Sequence, residues 1–180
     1  MPIWAVIVTI IGTIALMAAL AAAAWYGWRT FERRSLLRIV VRTEAVEAAG
    51  QALFDVFSRL AEAGDEELTA FADEPESSER RALYEVALKA DMISDELDRM
   101  RLPRSLIAVA GSVADAAFLV SKEARAVDES DTGDVALEHM SAVDLATVRA
   151  YTDQARRRVH ESCVECGLEE TNVYGGGLYL

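Results

Sequence analysis

The sequence predicts an all-α protein: a single N-terminal transmembrane helix followed by an antiparallel four-helix bundle. Three observations carry this expectation. Residues 1–28 hold no charged side chain, four later stretches repeat apolar residues at steps of three and four, and no comparable run alternates with period two. The whole chain has 180 residues, is 52% apolar and carries a formal charge of −12, an unusual pairing that sends attention to where each kind of residue sits.

The anchor comes first. Within Ile3–Trp28 only Thr9, Gly12, Thr13 and Gly27 are not apolar. The run exceeds the ~20 apolar residues that cross a hydrocarbon core of ~30 Å, and a lone spanning segment must be helical to satisfy its own backbone. All three tryptophans lie at its ends, Trp4 at one and Trp25 and Trp28 at the other. At ~1.5 Å per residue Trp4 and Trp25 stand roughly 32 Å apart, the spacing of an aromatic belt. A cleaved secretory signal is the competing reading, with small residues at Ala21–Ala24, but no Lys or Arg precedes the run and it is long for such a signal.

Residues 29–42 form a basic collar. Arg29, Arg33, Arg34, Arg38 and Arg42 against Glu32 sum to +4, which by the positive-inside rule places Met1 outside and the rest of the chain in the cytoplasm. Helical spacing sets Arg34, Arg38 and Arg42 opposite Leu36, Ile39 and Val40. This face either rests on anionic headgroups or serves only as a topology signal. The anchor residues are thus Trp4, Trp25, Trp28, Arg29, Arg33, Arg34 and Arg38. Ala15, Ala19 and Ala23 form a stripe of small residues through which two copies could pair.

The remainder, residues 43–180, holds 13 basic and 29 acidic side chains, a net of −16. That argues against a nucleic-acid partner, whose phosphates need concentrated positive charge. The bundle is expected over residues 43–166. Its stripes are Leu36, Ile39, Thr43, Val46, Gly50, Leu53, Phe57 and Leu60; Leu83, Val86, Ala90, Ile93, Leu97 and Met100; Leu106, Ala110, Val113, Ala117, Val120, Ala124 and Val127; and Leu145, Val148, Thr152, Ala155, Val159, Ser162 and Cys166. Each lines one helix face. Gly64, Pro75 and Pro103 punctuate them, and Ser141 with Asp144 has the spacing of a capping box before the fourth. Residues 66–72 and 135–140 fit short additional helices. The third stripe, with Ala108, Ala110, Gly111, Ala114, Ala116 and Ala117, is expected to be the most enclosed helix or a self-associating face. No glycine pair or proline interrupts the chain between Trp28 and Ala49, so the anchor and the first bundle helix can be one.

Four features bear on chemistry. His160, Cys163 and Cys166 present soft ligands at close spacing, the donor set of a zinc site lacking its fourth member, for which His139 is one candidate. Against this, Cys166 continues the fourth stripe and Cys163 follows Val159 by one turn, positions where cysteine packs as a small hydrophobe. The segment Asp128–Val135 has part of a calcium-loop spacing, but too few carboxylates. The acidic stretch Asp65–Glu79 is either a solvated loop, with the Arg156–Arg158 trio as one pairing partner, or a contact for a basic protein. The tail, residues 167–180, contains three successive glycines and ends on Tyr174, Leu178, Tyr179 and Leu180, and reads either as a flexible terminus or as a linear motif for a partner's groove or sheet edge.

No phosphate loop, exposed nucleophile motif or metalloprotease signature occurs, and two histidines supply little acid–base capacity near neutrality. The expectation is a non-enzymatic, membrane-tethered interaction, scaffold or regulatory module at the cytoplasmic face, without a cofactor. Its partners would be the bilayer and a membrane or cytoplasmic protein. The alternative is a metal- or thiol-dependent sensor built on His160, Cys163 and Cys166, with zinc as the metal.

Overall fold

The structure, a computed structural model, describes residues 3–74, 76–128 and 133–168. Among them the chain is all-helical, with six helices and no strand. These are α1 (Ile3–Glu62), α2 (Asp65–Asp73), α3 (Ser78–Arg99), α4 (Arg104–Asp128), α5 (Gly133–Ala142) and α6 (Leu145–Glu165).

Helix α1 is one unbroken rod of 60 residues, about 90 Å long at the α-helical rise. Its two halves meet different surroundings. Trp4 and every side chain from Ile10 to Arg29 are exposed, whereas Ser35, Leu36, Ile39, Val40, Thr43 and Val46 are buried. Two helices, α1 and α4, are long and apolar enough to cross a membrane. The apolar window of α1 has no buried residue, while 56% of that of α4 is packed inside the protein.

The second half of α1 packs with α3, α4 and α6 around a core of two stacked clusters. The cluster nearer the apolar half of α1 joins Leu36, Ile39, Val40 and Val46 to Leu97, Leu106, Val113, Val159 and Cys163. The far cluster joins Leu53, Val56, Phe57 and Leu60 to Phe71, Leu83, Val127, Ala136 and Val148. Here α2 and α5 close the end. Chain direction follows from the cross-links: Arg42 meets Glu96 near the end of α3 at 2.6 Å, and Arg33 meets the carbonyl of Cys166 at the end of α6. Helices α3 and α6 therefore run back toward the apolar half of α1.

The buried faces follow the four apolar stripes with few departures, Met100, Leu145, Thr152 and Cys166 being only half-buried. Helix α4 touches α1, α3, α5 and α6 and buries Ala110, Ala114, Ala116 and Ala117, but Ala108 and Gly111, expected among its close-packing residues, face outward. Two boundaries also differ from expectation. Helix α1 stops at Glu62, and Gly64 instead precedes α2, its N–H donating to the Glu67 carboxylate at 3.3 Å. Helix α5 runs through Ser141, whose hydroxyl turns back to the Glu138 carbonyl, so the cap of α6 is Asp144. Its carboxylate accepts from the Thr147 amide at 2.9 Å and hydroxyl at 2.6 Å, satisfying an end amide that Ser141 is too far upstream to reach.

Candidate functional site

Three chain segments converge at the end of the helical domain beside the apolar half of α1. The first is α1 itself from Arg29 to Arg42. The second is the C-terminus of α6, where Gly167 adopts a left-handed φ of 67°, the Gly167 amide bonds Val164 O at 3.0 Å and the Leu168 amide bonds Cys163 O at 2.9 Å. This is a Schellman close, with buried Leu168 as its apolar contact. Arg33 completes it by donating from Nε to the Cys166 carbonyl at 3.2 Å, a cation placed on the negative end of the helix. The third is the α3–α4 turn, held to α1 by a hydrogen bond from the Ser105 hydroxyl to the Glu32 carboxylate.

The collar is thereby divided between two tasks. Arg33 and Arg42 bind other helices, and Arg29 stacks over the Trp25 ring at 5.3 Å. Arg34 and Arg38 are exposed and make no ion pair with the described residues. The turn adds Arg99, Arg101 and Arg104, which the sequence analysis did not single out. The signal was present as three arginines in the six residues Arg99–Arg104, but only the tertiary fold brings them beside the collar.

His160, Cys163 and Cys166 lie at this same end, on α6. Cys163 is buried in the core, Cys166 is half-buried, and His160 is exposed. Both cysteines are free thiols. Burial, and then the neighbouring Cys166, pushes the Cys163 thiol up. Burial, and then the carboxylates of Glu32 and Glu165, pushes Cys166 up against the opposing pull of Arg33 and Arg29. Both therefore stay protonated at neutral pH, away from the thiolate that attacks or ligates. Among the described residues no group of three or more His, Cys, Asp or Glu side chains is placed to hold a metal ion. His139 packs against Ala126 on the α4–α5 side of the far cluster, well removed from Cys163.

Two polar features sit elsewhere. A cleft of about 250 Å³ between α1 and α6 is lined by Glu47, Gln51, Phe54, Arg149, Asp153 and Arg156. Glu47 Oε1 is buried there without a hydrogen bond, with Arg156 Nε at 3.8 Å. Burial pushes its carboxyl up, opposed by Arg156 and reinforced by Glu44 and Asp153. So Arg156 turns to Glu47, and Arg157 to its own helix at Asp153 O. At the far end Arg80 is 4% exposed and donates to Phe71 O at 3.0 Å, Asp128 O at 3.1 Å and Ala72 O at 3.2 Å, with its guanidinium 5.5 Å from the Phe71 ring. It clamps the ends of α2 and α4 to the start of α3.

The acidic stretch Asp65–Glu79 is largely helical, forming α2 and the first turn of α3. The calcium-like spacing falls mostly on residues 129–132, and Tyr174, Leu178, Tyr179 and Leu180 fall in the tail. Residues 129–132 and the tail positions lie outside the described residues. No protein-family model matches the chain, and no curated protein or solved structure matches it either.

Proposed function

We propose that this chain is a single-pass membrane protein whose cytoplasmic four-helix bundle serves as a tethered interaction, scaffold or regulatory module. One observation carries the reading: a single helix, α1, is exposed at Trp4 and from Ile10 to Arg29, all apolar or uncharged before Arg29, and is a core helix through its second half. Exposure of that first half to water is costly. Ile10, Ile11, Ile14, Leu16, Met17 and Leu20 alone, at about 2 kcal/mol each, come to roughly 12 kcal/mol. That is as large as the folding free energy of an ordinary domain. A bilayer removes the cost.

The unbroken helix also supports an anchor over a cleaved leader, because Ala21–Ala24 lies within it rather than in extended backbone. Helix α4 supports a single span, since more than half of its apolar window is committed to the core. The Arg collar supports a cytoplasmic domain by the positive-inside rule. Tethering confines the acidic helical surface to the membrane and raises its effective concentration for a partner there.

The test is retention and topology of the full chain. Alkaline carbonate should leave it in the membrane pellet, and its C-terminal domain should be digested only when the cytoplasmic side is open to protease. Release by carbonate would overturn the anchor.

A further inference from the structure

The α3–α4 turn extends the basic collar into a second point of contact with the bilayer: we infer that Arg101 and Arg104, together with Arg34 and Arg38, rest on anionic lipid headgroups and hold the helical domain against the membrane. This deepens the proposed membrane tethering and rests on it.

Position comes first. Glu32 lies four residues beyond Trp28, about 6 Å along the helix axis. The polar layer outside the hydrocarbon core is roughly 5–7 Å deep on each side. With Trp28 at the interface, Glu32 stands at the outer edge of that layer, and its hydrogen bond to Ser105 sets the turn at the same height. Arg104 is the residue next to Ser105, and Arg101 precedes it across buried Pro103. Both arginines fall within a Debye length of the headgroups, about 8–10 Å.

Charge is the second argument. Arg34, Arg38, Arg101 and Arg104 are exposed and make no ion pair with the described residues, in a chain whose part after residue 42 carries a net −16. Arginines in so acidic a setting have carboxylates to pair with. Arg42 and Arg125 do pair, with Glu96 and Asp91. Of the other arginines without an ion pair among the described residues, Arg59 and Arg157 turn to their own helices at Asp55 O and Asp153 O and Arg149 lies over the Phe54 ring, whereas Arg34, Arg38, Arg101 and Arg104 stand exposed at the end next to the apolar half of α1. Apolar surface accompanies them. Arg38 and Arg42, the latter paired with Glu96, edge a cleft with Leu37, Val41 and Met100, and Arg101 and Asp98 edge a second with Met100, Leu102 and Ile107, whose side chain is 57% exposed. A charged rim over apolar lining matches the headgroup–acyl boundary.

Hydrogen exchange of the full chain in nanodiscs tests this, comparing phosphatidylcholine alone with a mixture containing phosphatidylglycerol. Amides of residues 100–107 should exchange roughly 10-fold or more slowly in the anionic bilayer. The double variant Arg101→Gln/Arg104→Gln, or high salt, should abolish the difference while far-end amides around Leu83 stay unchanged. Equal exchange of the turn in both bilayers, or a difference that survives the double variant, overturns the inference. Carbonate extraction of the same samples separates the two levels. A chain retained in both bilayers with unaltered turn exchange overturns this inference alone, and a chain released from both overturns the tether and this inference with it.

Discussion

Arg80 is the most consequential single side chain in the helical domain. Its guanidinium satisfies carbonyls at the ends of α2 and α4 from a buried position on α3. Replacing it with alanine leaves those carbonyls short of donors and opens a void beside Phe71. Arg80→Ala should cost about 3 kcal/mol or more, and Arg80→Lys should recover only part, because an ammonium lacks the planar fork. Urea unfolding of the full chain in detergent micelles, followed by circular dichroism, measures both. Glu47 acts in the opposite direction. Its folded-state carboxyl is raised by burial, so the native state binds the proton more tightly than the unfolded chain does, and stability falls as pH rises through that range. Glu47→Gln should therefore raise the urea midpoint at neutral pH, and the gain should vanish once pH falls below the ordinary carboxylate range. A constant difference across pH would show that its charge has no part in it. Neither role was singled out from sequence, for different reasons. Arg80 sits three residues before Leu83 on the second stripe, where a charged residue reads as the stripe's limit, and its acceptors come from distant backbone. Glu47 adjoins Val46 as an ordinary solvent-side residue until α6 covers it.

At the scale of the element, two glycines carry opposite predictions. Gly50 lies in mid-helix on α1, and a Cβ there would meet Thr152 Cγ2 at 3.8 Å and Val120 Cγ2 at 3.9 Å, ordinary contacts. Gly50→Ala should stabilise by about 0.5–1 kcal/mol through lower backbone entropy in the unfolded chain. Gly167 holds a positive φ with Arg33 Nη2 at 3.5 Å from a would-be Cβ, so Gly167→Ala should destabilise by about 1 kcal/mol and loosen the α6 close. The same unfolding measurement reads both signs. The elements themselves were the most legible part of the sequence, because a stripe of threes and fours needs only local geometry to be recognised. Leu36 to Leu60 and Leu106 to Val127 became buried faces almost residue by residue. Boundaries were less so. Ser141 and Asp144 are both good caps, and the choice between them turned on α5 extending through Ser141 to Ala142.

At the scale of the molecule, charge and hydropathy divide the chain into an uncharged span, a +4 collar and an acidic remainder, a partition readable from sequence alone. The structure adds that the apolar segment and the first core helix are one rod, so under the proposed anchoring the domain's distance from the bilayer is set by helix geometry rather than by a linker. It adds also that the collar is partly consumed in docking, Arg33 on α6 and Arg42 on α3, and is replenished by the α3–α4 turn. The sequence could not show this second part, because residues about 70 positions apart are joined only by packing. The His160, Cys163 and Cys166 group was legible as a spacing, while its division between core and surface was set by how α6 faces its neighbours. The central claim is that α1 spans the membrane once with the helical domain on the cytoplasmic side. Epitope tags at both ends of the full chain, digested in spheroplasts and in inverted membrane vesicles from a bacterial host, test it most directly. The account predicts loss of the N-terminal tag only in spheroplasts and of the C-terminal tag only in inverted vesicles. Loss of the C-terminal tag in spheroplasts, or of both tags on the same side, would contradict it.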